Sequence, residues 1–285
     1  MNEFEKIQRD PVSRRAFLQR MGAAGLGVAA VSLLNGCGGG SSGGSNNNGG
    51  NSISDATLRS LPGKNANVKV LNYALTLEIL EADLYRQALN LATGRALTAD
   101  LAASPSAYTL QVPSGGVAAA PAFAYLRDFA FVEAAHRDFI RTTILSLNDT
   151  PVERNPKGYK FGGPVAADLR SILLAILPLE ETGVRAYLGA APFFVNFETD
   201  LTKTLIQAAV GIYSTEARHS AAIQYILGRN IGPNGTEPGV PSNSRVSLSG
   251  VGTLPYSDKG LGDTFEYFST PTQVFNAVSS TLFVK

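Results

Sequence analysis

Four stretches of this chain repeat apolar residues at the spacing of a helix, and none alternates in the period of two expected of a strand. The first covers about residues 66–93 and contains "LNYALTLEILEADLYRQALNLA". Leu71 and Leu75 stand four apart, Leu84 and Leu91 seven apart, and Gly94 ends the pattern. The second covers about 121–147 and opens at Pro121, a residue suited to a first helical turn. The third covers about 164–190, and the fourth about 198–227, closed by Gly228. Long amphipathic helices without strands predict an all-α protein built as a four-helix bundle.

The connections add the order of the helices. Residues 95–120 and 148–163 form long links, while the link around "APFFVNF" is short and predicts that the third and fourth helices are antiparallel neighbours. A 27-residue helix is about 40 Å long. Sixteen extended residues reach about 50 Å, so the second link can run the length of the bundle as a crossover. Residues 231–285 are rich in Gly, Pro, Ser and Asn and form a loop-rich C-terminal extension. Near its end, "TPTQVFNAVSSTLF" predicts one short docking helix. Pro178, inside the third helix, predicts a kink and a freed backbone carbonyl just before Glu180.

The N-terminus has a different character. "SRRAFLQR" carries Arg14-Arg15 followed by Phe17 and Leu18, and a weakly apolar run extends from Met21 to Leu34. That run falls short of the about 20 apolar residues of a permanent membrane helix. The segment resembles a twin-arginine export signal, with Gln19 where that pattern has lysine. The single cysteine, Cys37, sits in "LLNGCGGG", which resembles a lipobox. A lone cysteine forms no internal disulfide, and its place after the apolar run makes it the candidate lipidation site. Residues 1–37 thus read as an export signal and 38–62 as a Gly/Ser/Asn-rich tether. They predict an exported protein of the periplasm or cell envelope, anchored to a membrane through Cys37.

Charge excludes one class of partner. The chain carries 24 basic and 23 acidic residues, net +1. Residues 1–36 hold five of the basic and three of the acidic ones, which leaves a net −1 for the rest. No basic block points to nucleic acid.

The chemistry lies in the helices. The only two histidines, His136 and His219, each follow a glutamate by three residues, Glu133 and Glu216. On a helix, residues three apart differ by about 60° in azimuth and about 4.5 Å in rise, so both can point at one centre. The first helix carries Glu78 and Glu81 among leucines and isoleucines, and the third carries Glu180 and Glu181 after "ILLAILPL". Ionised carboxylates facing one apolar core repel each other unless cations balance them. Two divalent ions balance four carboxylates. Glu-x-x-His on two helices plus one Glu from each of two others is the ligand arrangement of ferritin-like di-iron and di-manganese bundles.

The order Glu, Glu-x-x-His, Glu, Glu-x-x-His on four successive helices resembles the ferritin-like superfamily. The contexts "LNYALTLEILEADLYRQAL" and "LEETGVRAYLGAAP" resemble its exported bacterial branch, sometimes called desiccation-related proteins. The likeness covers roughly residues 66–228, within a domain spanning about 63–230. In such chains the first ligand precedes a tyrosine by seven residues, as Glu78 precedes Tyr85. The third-helix ligand precedes a glycine by three, as Glu180 precedes Gly183. The resemblance therefore implies Glu78, Glu133, His136, Glu180, Glu216 and His219 as metal ligands. By position, Glu81 reads either as a carboxylate supporting a ligand histidine or as a solvated helix residue, and Tyr85 and Tyr213 read either as hydrogen-bonding groups near the site or as core tyrosines. The resemblance implies two iron ions, with manganese as the alternative, and O₂ or peroxide as reactants in ferroxidase-like or peroxidase/catalase-like chemistry. The long first link and the C-terminal extension depart from compact ferritins and argue against a 24-subunit shell. A second reading keeps the bundle as a membrane-tethered structural or stress protein without turnover.

Overall fold

The computed structural model describes residues 53–154, 159, 168–233, 240–241 and 265–281. The arginine pair, Cys37 and the tether up to residue 52 lie outside them. The described residues belong to one unit, Ser52–Lys285.

Six α-helices follow in chain order: α1 (Ala56–Ser60), α2 (Ala66–Ala92), α3 (Ala119–Ser146), α4 (Leu169–Ala190), α5 (Asp200–Ile226) and α6 (Pro271–Thr281). Helices α2 to α5 pack as a four-helix bundle of ferritin-like form, as the pattern predicts. Three starts are set by side chains that accept the first free N–H groups. Asn65 accepts from Val68, Asp168 from Ser171, and Thr199 from Thr202. Asp168 is extended, so α4 begins at Leu169 rather than near residue 164, because the cap turns the chain out of helical geometry. Helix α2 gives way to Gly94 at φ 67°, a left-handed residue that glycine adopts at least cost.

The links fix the directions. Gln111 N–H donates to Ala92 O, and Leu169 N–H donates to Pro113 O, so the first link folds over the end where α2 finishes and α4 starts. At the other end, buried Asn67 donates to Val195 O and accepts from Val195 N–H, tying the α4–α5 link to the start of α2. The described part of the second link climbs along α2. Asn72 bonds Thr150 and Val152, Asp83 holds Arg154, and Gln87 donates to Tyr159 O. Helices α2 and α5 therefore run one way and α3 and α4 the other, with a full-length crossover between α3 and α4.

Part of the stretch read as tether is ordered. Asp55 caps α1 by accepting from Thr57 and Leu58, and its other oxygen accepts from Thr272 N–H at the start of α6. Leu58 is buried in the core, so residues 55–60 dock instead of hanging free. The predicted C-terminal helix is α6. Tyr73 of α2 stacks on its Phe275 at 6.1 Å.

Just before α6, the C-terminal segment closes over α4. Ser269 N–H donates to Arg185 O, and a Cβ on Gly189 would lie 1.9 Å from Ser269 O. Only glycine permits that approach. Arg185 is itself buried. Its guanidinium donates to Pro241 O, lies 5.5 Å over the Tyr267 ring, and pairs with Glu181 at 3.6 Å. No helix among the described residues is long and apolar enough to cross a membrane.

Candidate metal centre

Each helix of the bundle delivers its acidic residue to the middle of the core. Glu78, Glu133, Glu180 and Glu216 are all fully buried. On α3 and α5 the Glu-x-x-His spacing carries a histidine one turn further into the same space. His136 Nδ1 lies 3.1 Å from Glu133, 3.3 Å from Glu216 and 3.5 Å from Glu78. His219 Nδ1 lies 2.8 Å from Glu133 and 3.5 Å from Glu180.

These contacts sort into two groups whose donor atoms all lie within 4.8 Å of one another. One contains Glu78, Glu133, His136 and Glu216; the other contains Glu133, Glu180, Glu216 and His219. Glu133 and Glu216 belong to both. Each group thus has one carboxylate and one imidazole of its own and shares two carboxylates with the other. The buried Glu/His clusters have the composition and convergence of a site for two metal ions.

The donor set fits cations on its own physical terms. Glu78 Oε2, Glu133 Oε1, Glu180 Oε2, both Glu216 oxygens and His219 Nδ1 are buried and have no hydrogen-bond partner. The 2.8 Å approach of His219 Nδ1 to Glu133 Oε1 is close but misaligned for a hydrogen bond. Donors in cis positions around an octahedral ion about 2.1 Å away are themselves about 3 Å apart. Atoms that crowd at that spacing without bonding each other are arranged around a common centre.

Without cations, protons balance the charge. Burial raises the pKa of Glu78 and of Glu216, and for Glu216 the neighbouring Glu133 and Glu180 raise it further. Burial also pushes Glu133 upward, but the flanking His136 and His219 imidazoles outweigh it and hold Glu133 at about 2. Burial opposes protonation of both histidines, yet the carboxylates win. His219 rises to about 10, chiefly through the Glu180 charge, and His136 rises as well through Glu133, Glu216 and Glu78.

Two tyrosines brace the outer carboxylates, and they do so reciprocally. Tyr187 of α4 donates to Glu78 of α2 at 2.5 Å, while Tyr85 of α2 donates to Glu180 of α4. Each tyrosine follows the glutamate of its own helix by seven residues and bonds the glutamate of the other. Sequence reasoning used the Glu78–Tyr85 spacing and missed Tyr187, although Glu180–Tyr187 repeats it. Tyr213 lies on α5, three residues before Glu216. It is half-buried, and its pKa is raised by burial and then by the charge of Glu266, not of a cluster carboxylate. Phe129, also missed, stacks on His219 with ring centroids 3.7 Å apart. Nothing in the sequence marks it except its place one turn before Glu133.

Both neighbouring acids are buried too, in different surroundings. Glu181 accepts from Ser220 and from Gln224 and faces Arg185, so it belongs to the α4–α5 contact and not to the donor groups. Glu81 belongs to neither donor group; its Oε1 borders the same point at Gly183 as Glu216 Oε2, and it has no donor at either oxygen. A narrow apolar cavity adjoins the site, lined by Leu77, Ile140, Tyr187 and Ile212 among others. Thr182 Oγ1 donates to Pro178 O at 2.6 Å, occupying a carbonyl of the turn that enters the site.

No curated protein matches this sequence significantly. A family profile described as "Ferritin-like domain" matches residues 66–229, from the first residue of α2 to just past the end of α5. That span holds the bundle and all six donor residues, and the chain belongs to the ferritin-like domain family.

Proposed function

We propose that this protein binds two iron ions, with manganese as the alternative, and reacts with O₂ or peroxide in iron handling or stress protection. One observation carries the reading: Glu133 and Glu216 fall in both donor groups, which is how two ions are held close enough to act together. Carboxylates with two imidazoles suit iron and manganese alike, and the family resemblance favours iron. When bound, the metal pair would supply the electrons that reduce O₂ or peroxide.

The remaining work belongs to the chain. Glu78 and His136 would hold one ion and Glu180 and His219 the other, with Glu133 and Glu216 available to both. Tyr187 and Tyr85 fix the orientation of the outer carboxylates by their hydrogen bonds. Phe129 shields the His219 side from water, whereas the His136 side chain remains 15% exposed. We place the entry for ions and oxidant on the His136 side for that reason. The test is metal analysis of the purified protein, followed by stopped-flow mixing of the Fe(II) form with O₂ and with H₂O₂. Two ions per chain and rapid oxidation are expected. Ions that stay inert to both oxidants reduce the protein to a metal-binding one, and absence of uptake overturns the reading.

The same proposal extends to place. Arg14-Arg15 and the Cys37 context support export of the folded, loaded domain and anchoring in the cell envelope, as in the desiccation-related branch. Mass spectrometry of the mature N-terminus checks it, the expected result being a chain that begins at a lipid-modified Cys37.

A further inference from the structure

Most buried acids around the centre have an obvious partner. Glu78 accepts from Tyr187 and Glu180 from Tyr85. Glu133 has His136, Glu181 has Ser220 and Gln224, and Asp83 has Arg86, Arg154 and Gln87. Glu216 has no hydrogen bond but lies 3.3 Å from His136 Nδ1, and Glu81 has neither a donor nor an imidazole beside it. Glu81 sits one turn after Glu78 on α2 with 1% of its surface exposed, and neither of its oxygens has a hydrogen-bond donor. A carboxylate buried without a partner is costly and is not retained by packing alone.

A second observation shows where that carboxylate is aimed. A Cβ built on Gly183 of α4 would fall 2.9 Å from Glu81 Oε1 and 3.4 Å from Glu216 Oε2. Glu81 and the shared ligand Glu216 therefore converge on one spot, and the glycine keeps that spot free of a side chain. Glu216 Oε2 also lacks a hydrogen-bond partner. Two orphaned oxygens, one from each carboxylate, border the same gap, which lies beside Glu216, a member of both donor groups.

We propose that Glu81 is a seventh ligand of the metal pair, entering beside Glu216 through the space that Gly183 leaves. The inference rests on the two-metal reading above. Its consequence is electrostatic. Four ionised carboxylates neutralise two divalent ions, and a fifth leaves the site at −1. A site with surplus negative charge favours the higher oxidation state of its metals, which lowers their reduction potential.

The test uses the full chain loaded with Co(II), whose visible absorption reports coordination number, and compares wild type with Glu81→Gln and Gly183→Ala. Glu81→Gln removes the charge at nearly constant shape. Gly183→Ala keeps the charge but fills the gap and displaces the carboxylate. Both variants are expected to hold two cobalt ions, with a changed absorption band for one of them and its binding weakened by about tenfold. In the iron-loaded protein, Glu81→Gln is expected to shift the midpoint potential upward. Spectra, affinities and potential indistinguishable from wild type in Glu81→Gln overturn the proposal while leaving the two-metal reading intact. A lower melting temperature in Glu81→Gln with an unchanged cobalt spectrum assigns Glu81 a structural role and overturns it equally. A wild-type chain that takes up no cobalt overturns the two-metal reading itself.

Discussion

Helices α2 and α4 differ from α3 and α5 in a way that maps onto the centre. Helix α2 buries 21 of its 27 residues and α4 buries 16 of 22, whereas α3 buries six of 28 and α5 eight of 27. The described part of the crossover link lies along α2, and the residues just before α6 lie on α4. Helices α3 and α5 keep open outer faces. The covered pair supplies one outer glutamate from each helix and the tyrosines that brace them. The open pair supplies both shared carboxylates and both imidazoles. Buried walls thus hold the outer carboxylates, and the more exposed helices carry the residues common to the two groups.

That division is open to attack, most severely at a shared carboxylate. Glu133→Ala is expected to lower metal content from two ions to nearly none, because both groups lose a donor and each keeps an unbalanced charge; elemental analysis checks it. His136→Ala and His219→Ala should each cost one ion, with a fold that still melts cooperatively. Equal loss of both ions from either variant would show that the two groups are not separable. Tyr187→Phe and Tyr85→Phe should each weaken one ion by about 10–100-fold, the usual effect of losing a ligand's supporting hydrogen bond. Because the braces are reciprocal, competition titrations should place the Tyr187 effect at the Glu78 group and the Tyr85 effect at the Glu180 group.

A pH series sharpens the electrostatic side. In the metal-free protein, His219 is raised to about 10 and Glu78 and Glu216 are raised, so the folded state binds protons that the unfolded state releases. The stability contributed by His219 is full below its unfolded pKa of about 6.5 and is lost as pH rises through about 10. The raised glutamates push in the same direction. Melting temperature without metal is therefore expected to fall between pH 6 and 9, while the increase on adding metal grows over that range. Calorimetry in buffers of different ionisation enthalpy should detect protons released on binding. The smallest effect concerns the covering of α4. Gly189→Ala forces a Cβ against the Ser269 carbonyl and should destabilise the fold by about 1–3 kcal/mol, read by chemical denaturation, with metal content unchanged.

Much of this was legible in the residues. Periodicity placed four helices to within a few residues, since an amphipathic helix advertises its buried face. The donor candidates were visible because glutamates in an apolar helix context, and histidines three residues after glutamates, need an explanation that surface helices do not. Tyr187 was legible in principle, because its spacing from Glu180 copies that of Tyr85 from Glu78. Tyr213 shows the limit of such reasoning. Its place three residues before Glu216 puts it near that glutamate along the helix, yet the charge that bears on its hydroxyl is that of Glu266.

By itself, the sequence determined the helices, their capping residues and the four turns from which acidic side chains face the core, because each of these follows from local periodicity and hydrogen-bonding chemistry. Tertiary structure alone decided which carboxylates are shared, that Glu181 joins Arg185 while Glu81 is left without a donor, that Phe129 covers His219, and that residues 55–60 dock beneath α6. Those outcomes depend on distances between segments up to more than 200 positions apart in the chain, which are set by how four helices cross in space and not by the spacing within any one of them.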